Sequence, residues 1–260
     1  MWEKLCAARC LGAIEEIMAI VFRPLWSFTA VMALLFAGMT ALGAWQLERL
    51  QWKLGLIAAV NRNLAAPPVM LDRVLALPPE AAQYHRVALT GRFDHAHEAY
   101  VFTTGPDGAP AYHVLTPFLL GHGRALLVDR GYVPARLRDP KTRAAGEVAG
   151  EGRIVGVWRI PDPPGLFTPA PDPAHRIWYS RDLASIAKAN HIPLAAPALV
   201  EADAAPNPGG WPRGGQTVVA FRNEHLQYAI TWFAMAAIVL GGWIAYHVSR
   251  GRLAWRPGRS

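Results

Sequence analysis

A histidine stands at the start of a long uncharged run near the end of the chain. After His225, residues 226–248 form a run of 23 positions without Asp, Glu, Lys or Arg. Because His225, Tyr228 and Trp232 fall at i, i+3 and i+7, a helix places all three on one face. An imidazole beside aromatic rings at a membrane boundary can ligate a flat, apolar cofactor, or it can be an interfacial residue that reaches toward water. These residues alone leave both interpretations open.

Two further motifs, in the middle of the chain, combine residue types found in metal and catalytic sites. His95-x-His97 on a strand would point both rings to one face and could begin a metal site. Since no Cys and no clear third ligand follow at short spacing, we interpret both as solvent-facing strand residues. Asp129-Arg130-Gly131 closes a predicted strand, and we interpret the Asp–Arg pair as tying a turn. No Gly-x-Ser-x-Gly, phosphate loop or His-Glu-x-x-His is present, so these residues show no familiar catalytic motif.

Composition and cysteine usage narrow the class of protein. Of the 260 residues, 52% are apolar and 17% are charged, a low charged fraction for a soluble protein. The two cysteines, Cys6 and Cys10, lie near the start, so the body of the chain is predicted to hold no disulfide and no thiolate metal site. Their i, i+4 spacing can bind a metal only weakly. The lack of Cys in the body and of a Met-rich tract argues against copper delivery.

Two uncharged runs are long enough to cross a membrane as helices. Residues 26–47 are uncharged over 22 positions, and residues 226–248 would span about 34 Å against a hydrocarbon core of roughly 30 Å. Trp26 and Trp45 lie near the ends of the first run, where interfacial aromatic residues belong. Gly38 and Gly43 would let a second helix approach closely. We predict that the first helix continues to about Asn61 and is a retained anchor.

The distribution of charge predicts the orientation of both spans. Of the net charge of +7, +4 lies beyond residue 248, carried by Arg250, Arg252, Arg256 and Arg259. A basic tail beside a span favours the cytoplasmic side over nucleic-acid binding. We therefore predict a multi-pass protein of the bacterial cytoplasmic (inner) membrane with both termini cytoplasmic. Two spans around a long loop form a hairpin, so Trp45, Gln46 and Arg49 should return to the same leaflet as His225.

The predicted segments follow from these spans. They are a cytoplasmic N-terminal segment (1–25), a first transmembrane helix (26–47), a periplasmic domain (48–225), a second transmembrane helix (226–248) and a basic cytoplasmic tail (249–260). The N-terminal segment can be a short amphipathic helix or can precede a start at Met18, and the sequence leaves both open.

The middle of the chain is typical of short strands separated by turns. Residues 84–93 alternate in polarity, and Gly121-His122-Gly123 is a hairpin signal between two further strands. Ser180 is predicted to cap a helix with Asp182 in its first turn, running to about Asn190. The predicted strands are 84–93, 98–103, 112–120, 124–129, 152–160, 176–179 and 216–221. The fold class is therefore an α+β membrane protein, with two transmembrane helices flanking a β-rich domain, a small antiparallel barrel or sandwich with about one helix.

Five motifs occur in the order in which a known family has them. They are Gly43-x-Trp45-Gln46-x-x-Arg49-x-x-x-Lys53, Leu115-Thr116-Pro117-Phe118, Val128-Asp129-Arg130-Gly131-Tyr132-Val133-Pro134, Pro212-x-Gly214-Gly215-Gln216-Thr217 and Asn223-x-His225-Leu226-Gln227-Tyr228-Ala229-x-Thr231-Trp232. From about Arg23 to Tyr246 the chain resembles the Surfeit-locus-one family of cytochrome c oxidase assembly factors. It departs from the family pattern at Tyr132, often a Trp, and at Glu224, often an Asn.

The resemblance implies a non-enzymatic role in the maturation of a haem–copper oxidase. Bacterial members are linked to the binding and delivery of haem a, with a histidine at the second span as the proposed ligand. That position is His225 here, and a neutral imidazole can be an axial ligand of haem iron. The implied cofactor-binding residues are His225, Trp45, Gln46, Arg49, Tyr228 and Trp232, with the aromatic rings on the porphyrin and the guanidinium on a propionate.

The same resemblance names the expected cofactor and partners. Haem a would be bound transiently, and the partners would be membrane lipid, the catalytic subunit of the oxidase and, as a further candidate, haem a synthase. An alternative is a membrane-tethered scaffold that stabilises an oxidase assembly intermediate without binding haem. A membrane-bound hydrolase is disfavoured because no nucleophile–base motif is visible.

Overall fold

The structure is a computed structural model that describes residues 18–121, 123–217, 219 and 221–257. The predictions for Cys6, Cys10 and an amphipathic helix before residue 18 lie outside these residues. The chain divides into a helical unit, made of Met1–Gly55 and Phe221–Ser260, and a β domain, Leu56–Ala220.

The described residues contain five α-helices and ten strands. The helices are α1 (Trp26–Ala65), α2 (Leu71–Leu75), α3 (Pro79–Ala82), α4 (Leu183–Asn190) and α5 (His225–Ser249). The strands are β1 (Met18–Phe22), β2 (Val69–Met70), β3 (Arg86–Phe93), β4 (Ala99–Thr104), β5 (Pro110–Gly121), β6 (Arg124–Pro134), β7 (Gly152–Arg159), β8 (Ile177–Trp178), β9 (Leu194–Ala202) and β10 (Leu253–Pro257).

The two long helices of the helical unit are each long and apolar enough to cross a membrane. α1 has 40 residues and extends beyond the predicted Asn61, while α5 has 25. Of the two glycines expected to allow close helix approach, Gly43 does so, because a Cβ there would lie 2.8 Å from the Phe233 ring. Gly38 does not, since its Cβ would meet no atom within 4 Å.

The helical unit also contains a pair of strands that the sequence analysis did not predict. β1 and β10 pair antiparallel, from Met18 opposite Pro257 to Phe22 opposite Leu253. They precede α1 and follow α5, and Arg23 N–H continues the pairing by donating to the carbonyl of Arg252 at 2.8 Å. Neither segment alternates in polarity, which is why the periodicity gave no signal.

The β domain is built around a closed five-stranded barrel. Its strand order is β3-β7-β9-β6-β5, and β5 returns to pair with β3 at Phe118–Phe93. The neighbours are antiparallel except β6 and β9, which are parallel. The N-terminal half of the long β5 pairs with β4 rather than with β3, and β4 also pairs with the short β8. The prediction of a small β-rich domain is confirmed, and the structure selects the barrel.

Alternating residues of the barrel strands fill its interior. One buried cluster includes Val87 and Leu89 of β3, Phe118 of β5 and Val128 of β6, and α2 and α3 add Val74 and Ala82 to it. Residues of the opposite parity, among them Leu127 and Leu199, pack with α4 through Leu183 and Ile186. The period of two that predicted these strands is therefore the one that separates the two clusters.

Three predictions about this domain are wrong in detail. α4 is capped by Asp182, whose carboxylate accepts from Ser185 N–H at 3.0 Å, and not by Ser180. The described residues of 216–221 form no strand, because Gly215, at φ 69°, turns the chain back so that its N–H donates to the Ala202 carbonyl. β9 was missed because its Ala and Pro residues disfavour strands, and pairing on both sides by β6 and β7 overrides that preference.

Candidate functional site

The first candidate site lies in the helical unit, at the N-terminus of α5. His225 is the first residue of α5 and is half-buried. Its Nδ1 lies 2.7 Å from Oε1 of Gln46 on α1, across 179 residues of sequence. Because an amide oxygen only accepts hydrogen bonds, Nδ1 carries the proton and donates it to Gln46. In the neutral form of the ring, the lone pair then resides on Nε2, the nitrogen that would be free to ligate a metal.

This hydrogen bond matches the usual environment of a metal-ligating histidine. Such a residue almost always donates its second ring N–H to a carbonyl, carboxylate or water, which fixes both the tautomer and the ring orientation. No hydrogen bond between described residues involves Nε2 of His225. The arrangement can therefore supply one neutral imidazole ligand, oriented by Gln46.

The other predicted site residues are not drawn into contact with His225. Trp45 and Tyr228 are 50% and 52% exposed on their helices, and Trp232 is half-buried. The guanidinium of Arg49 lies 4.5 Å from the centroid of the Trp52 ring, a cation–π contact that the sequence analysis did not foresee. Of the six predicted residues, a hydrogen bond joins only His225 and Gln46 among the described residues, and the rings of Trp45 and Tyr228 remain half-exposed.

A second histidine, at the other end of α5, has a structural role. His247 is fully buried, with Nδ1 2.9 Å from the Trp243 carbonyl and Nε2 accepting from Leu25 N–H at 3.4 Å. Its ring stacks on Phe28, with centroids 6.0 Å apart. Both ring nitrogens are thus engaged in joining α5 to the start of α1, which leaves neither for a ligand.

The second candidate site is a buried ionic cluster in the β domain, at the end of the barrel. Glu98 is 0% exposed, and its carboxylate forms ion pairs with Arg130 of β6, at 3.1 Å, and with Arg143. Glu147 pairs with Arg143 and, at 3.5 Å, with Arg130. His95 completes the cluster, with Nδ1 2.7 Å from Glu147. The loop between β6 and β7 therefore places two charged residues, Arg143 and Glu147, at the barrel end.

The sequence interpretation of His95 as a solvent-facing strand residue is wrong. His95 and His97 lie in a 3₁₀ turn, His95–His97, where the two rings do not share a face. His97 pairs with Asp94 at the surface, whereas His95 turns toward Glu98 and Glu147. The signal was present in part, since Glu98 follows three residues after His95, but Glu147 is brought near only by the tertiary fold.

The charges of this cluster shift one another's pKa values. Burial alone would raise the pKa of Glu98, but hydrogen bonds from His95 and Arg143, with the charges of Arg143 and Arg130, lower it to about 2. Burial alone would lower the pKa of His95, but its hydrogen bonds to Glu147 and Glu98 raise it to about 9. At neutral pH the cluster thus holds three cations and two anions.

His95, Glu98 and Glu147 offer ligand atoms within 4.8 Å of one another, as a metal site would. The two arginines already neutralise both carboxylates, and Glu98 also accepts from Thr116 at 3.2 Å and from Tyr100 at 3.1 Å. A divalent cation would have to displace these donors and meet the arginine charges at close range. We therefore interpret the cluster as an ion-pair network that holds the barrel end together.

The Asp129-Arg130-Gly131 motif ties a β-bulge within β6, where a turn after the strand was predicted. Leu115 of β5 pairs with Asp129, but His113 pairs with Tyr132, so β6 carries one extra residue. Gly131 adopts φ 105°, and its N–H donates to Asp129 Oδ1 at 2.9 Å. Arg130 consequently points to the buried cluster at the barrel end.

Asp129 anchors a further network on the other face of β6. It is buried, 3.0 Å from His113 Nδ1 and 2.8 Å from Arg181, and these partners lower the pKa of its carboxyl to about 2 although burial opposes them. Arg181 also lies 3.8 Å from Glu201 of β9. The bulge therefore lets two consecutive residues serve two separate buried networks.

The comparison with protein families identifies the chain. The family model described as the SURF1 family matches residues 33–237, which include most of α1, the first half of α5 and all of the β domain. The chain belongs to the SURF1 family. The earlier resemblance is thus confirmed at the level of the family.

Several curated relatives within the SURF1 family match over most of this chain. Surfeit locus protein 1 of Takifugu rubripes is 34% identical over 241 residues, covering 86% of this chain and 99% of the relative. The Mus musculus protein of the same name is 36% identical over 229 residues, covering 80% of this chain and 72% of its own length. The Homo sapiens protein is 35% identical over 217 residues, covering 75% and 69%.

Proposed function

We propose that this SURF1 family member is a membrane-anchored, non-enzymatic assembly factor for haem–copper cytochrome c oxidase, which binds haem a and assists its insertion into the catalytic subunit. Family membership and the two membrane-competent helices support this role. The observation that carries the haem component is the hydrogen bond of His225 Nδ1 to Gln46, at 2.7 Å, because it leaves Nε2 free to serve as an imidazole ligand that would hold the haem iron.

The residues around His225 fit the chemistry of a haem. The rings of Trp45 and Tyr228 are each half-exposed, so they offer apolar surface that the protein does not cover. Arg49 stacks on Trp52 and keeps its donors for a carboxylate such as a propionate. When bound, the haem would supply the iron that accepts the imidazole. The chain itself would orient that imidazole through Gln46 and present rings to the porphyrin.

The proposed location is the cytoplasmic membrane of a bacterium, with α1 and α5 as spans and both termini in the cytoplasm. The arginine-rich tail beyond α5 supports this orientation. The β domain would then lie on the opposite side, where its partners would be the oxidase catalytic subunit and haem a synthase. Alkaline phosphatase fused after Gly150 should be active and fused after Ser260 inactive, whereas the reverse pattern would exclude this topology.

A second candidate function is a scaffold that stabilises an oxidase assembly intermediate without binding haem. One observation favours it: within the described residues no hydrogen bond or ring contact joins Trp45, Arg49 or Tyr228 to His225, and the two rings are half-exposed. The two functions make different predictions for the spectrum of the purified protein.

The test uses full-length protein purified from cells that make haem a. We expect the wild type to carry a haem absorption band and His225→Ala to lose it at an unchanged membrane level. Gln46→Ala should weaken haem affinity by about 10- to 100-fold, as loss of an orienting partner typically does. The matched control is His175→Ala, because His175 is an exposed histidine paired only with Asp172 in the described residues. His247 is unsuitable as a control, since its removal would disturb the packing of α1 and α5.

A normal spectrum and haem content in the His225 variant would refute the ligand assignment. A wild-type protein that restores oxidase assembly but never carries haem would establish the scaffold function instead.

A further inference from the structure

In the closed barrel of the β domain, the first half of β7 has one edge that does not pair with β9. β7 pairs with β3 from Gly152 onward, but it pairs with β9 only from Gly156. After Ala202 the chain leaves the barrel, and only Asp203 N–H still reaches the β7 edge, donating to the Val155 carbonyl at 3.0 Å. The gap forms a cleft of about 650 Å³ that lies wholly within the β domain. This volume falls in the range of small-molecule sites, roughly 300–1,000 Å³.

One side of the cleft is apolar, and two glycines lie beside it. Phe93, Phe118 and Ile154 line it, and all three belong to or pack against the barrel core. Gly91 and Gly152 are cross-strand partners and therefore share the inner face. A Cβ on Gly152 would meet no atom within 4 Å, so there is open space beside this position, whereas a Cβ on Gly91 would lie 2.1 Å from the Leu119 carbonyl oxygen.

The charged lining of the cleft is predominantly positive. Arg86, Arg130 and Arg153 line it together with one acid, Asp203, which pairs with Arg86. No hydrogen bond or ion pair between described residues involves the side chain of Arg153. At the inner end, Arg130 belongs to the buried cluster in which three cations face two carboxylates.

The donors of Arg130 are already engaged by Glu98, Glu147 and the Gly146 carbonyl. Arg153 is therefore the guanidinium available to a ligand, and one planar guanidinium matches one carboxylate in a bidentate pair. The excess positive charge behind Arg130 further favours an anion over a neutral or cationic ligand.

We propose that this cleft binds an amphipathic carboxylate, with its apolar body against Phe93, Phe118 and Ile154 and its carboxylate on Arg153. The site is distinct from the proposed haem site, since it contains none of the six residues assigned there. It does not depend on the proposed function.

The test uses the full-length protein in lipid nanodiscs, with empty nanodiscs to correct for partitioning. The probe is 2-naphthoate, a water-soluble monocarboxylate, followed by ligand-observed NMR titration. We expect saturable binding with a Kd on the order of 1 mM or tighter, the affinity typical of a ligand of this size. The neutral isostere 2-naphthamide should bind at least about tenfold more weakly, because it lacks the charge.

Two variants and one control locate the binding. Arg153→Gln should weaken 2-naphthoate about tenfold and leave 2-naphthamide unchanged. Gly152→Phe should abolish binding of both by filling the cleft, at a position where the added ring meets open space. Arg124→Gln, at another exposed arginine of the same domain, should change nothing.

Three results would each overturn the proposal. They are the absence of saturable binding by the wild type, equal affinity for the acid and the amide, and undiminished binding by Arg153→Gln. The haem spectrum of the wild type is unaffected by any of these results, so the two proposals fail independently.

Discussion

Replacing Glu98 by Gln tests whether the buried ionic cluster holds the barrel end together. The substitution keeps the shape of the side chain but removes the charge that faces Arg130 and Arg143. Two arginines would then share the single carboxylate of Glu147 in an environment where Glu98 is 0% exposed and Arg130 2% exposed. An uncompensated buried cation is costly, so we expect a marked loss of stability in the β domain.

The size of this loss of stability can be estimated in two ways. Breaking a buried ion pair by removing one partner typically costs about 3–5 kcal/mol. The pKa of Glu98, lowered from 4.5 to about 2, corresponds separately to about 3 kcal/mol of folding free energy at neutral pH. The two estimates describe the same interactions and are not added. For a domain of this size, such a loss lowers the melting temperature by on the order of 10 °C.

The assay is thermal unfolding of the full-length protein, followed by the far-UV signal of the β domain, as a function of pH. The pKa of Glu98 is depressed, so its contribution is fully present above pH 4.5 and is lost as pH falls toward 2. The pKa of His95 is raised, so its contribution is present below pH 6.5 and is lost as pH rises through 9. The wild type should therefore be most stable between pH 4.5 and pH 6.5. Glu98→Gln should reduce the loss of stability at acid pH, while the part that comes from Asp129 remains.

The matched control is Asp94→Asn, which removes a carboxylate from a carboxylate–histidine pair at the surface. Asp94 lies 2.7 Å from His97, and the two side chains are 27% and 47% exposed. Exposed pairs contribute about 0–1 kcal/mol, so this variant should melt close to the wild type. If Glu98→Gln melts at the temperature of the wild type and loses as much stability at acid pH as the wild type does, the cluster does not stabilise the barrel and our interpretation is wrong.

Two glycine positions supply further predictions. Gly131→Ala should destabilise the β domain by about 3 kcal/mol or more in the same assay, because an L side chain is strained at this bulge and its Cβ would lie 1.8 Å from the Arg213 carbonyl. Gly123→Ala, also at positive φ but with no atom within 4 Å, is the control and should cost much less. Gly43→Val should weaken the packing of α1 on α5 by about 1–3 kcal/mol, measured as melting in detergent, whereas Gly38→Val should not; equal melting of these two variants would exclude a close approach at Gly43.

The sequence by itself determined the features that depend on local pattern. The two long helices were predicted because length and the absence of charge are properties of a continuous segment. The barrel strands β3, β5 and β7 were predicted because a half-buried strand alternates with a period of two. Two antiparallel spans must return their ends to one level, so the sequence also predicted that Gln46 lies in the same region as His225. The structure joins these two side chains by a hydrogen bond.

Only the tertiary structure decided the features that depend on distant partners. β9 is a strand because β6 and β7 hydrogen-bond to both of its edges, against the preference of its Ala and Pro residues. Glu98 is a buried anion because Arg143, 45 residues away, reaches it. Similarly, the role of Asp129-Arg130 could not be read from the motif, because the bulge at Gly131 sends the two side chains to different networks. Energies that come from burial and from charges brought together by folding have no periodicity in the sequence, and the structure is needed to reveal them.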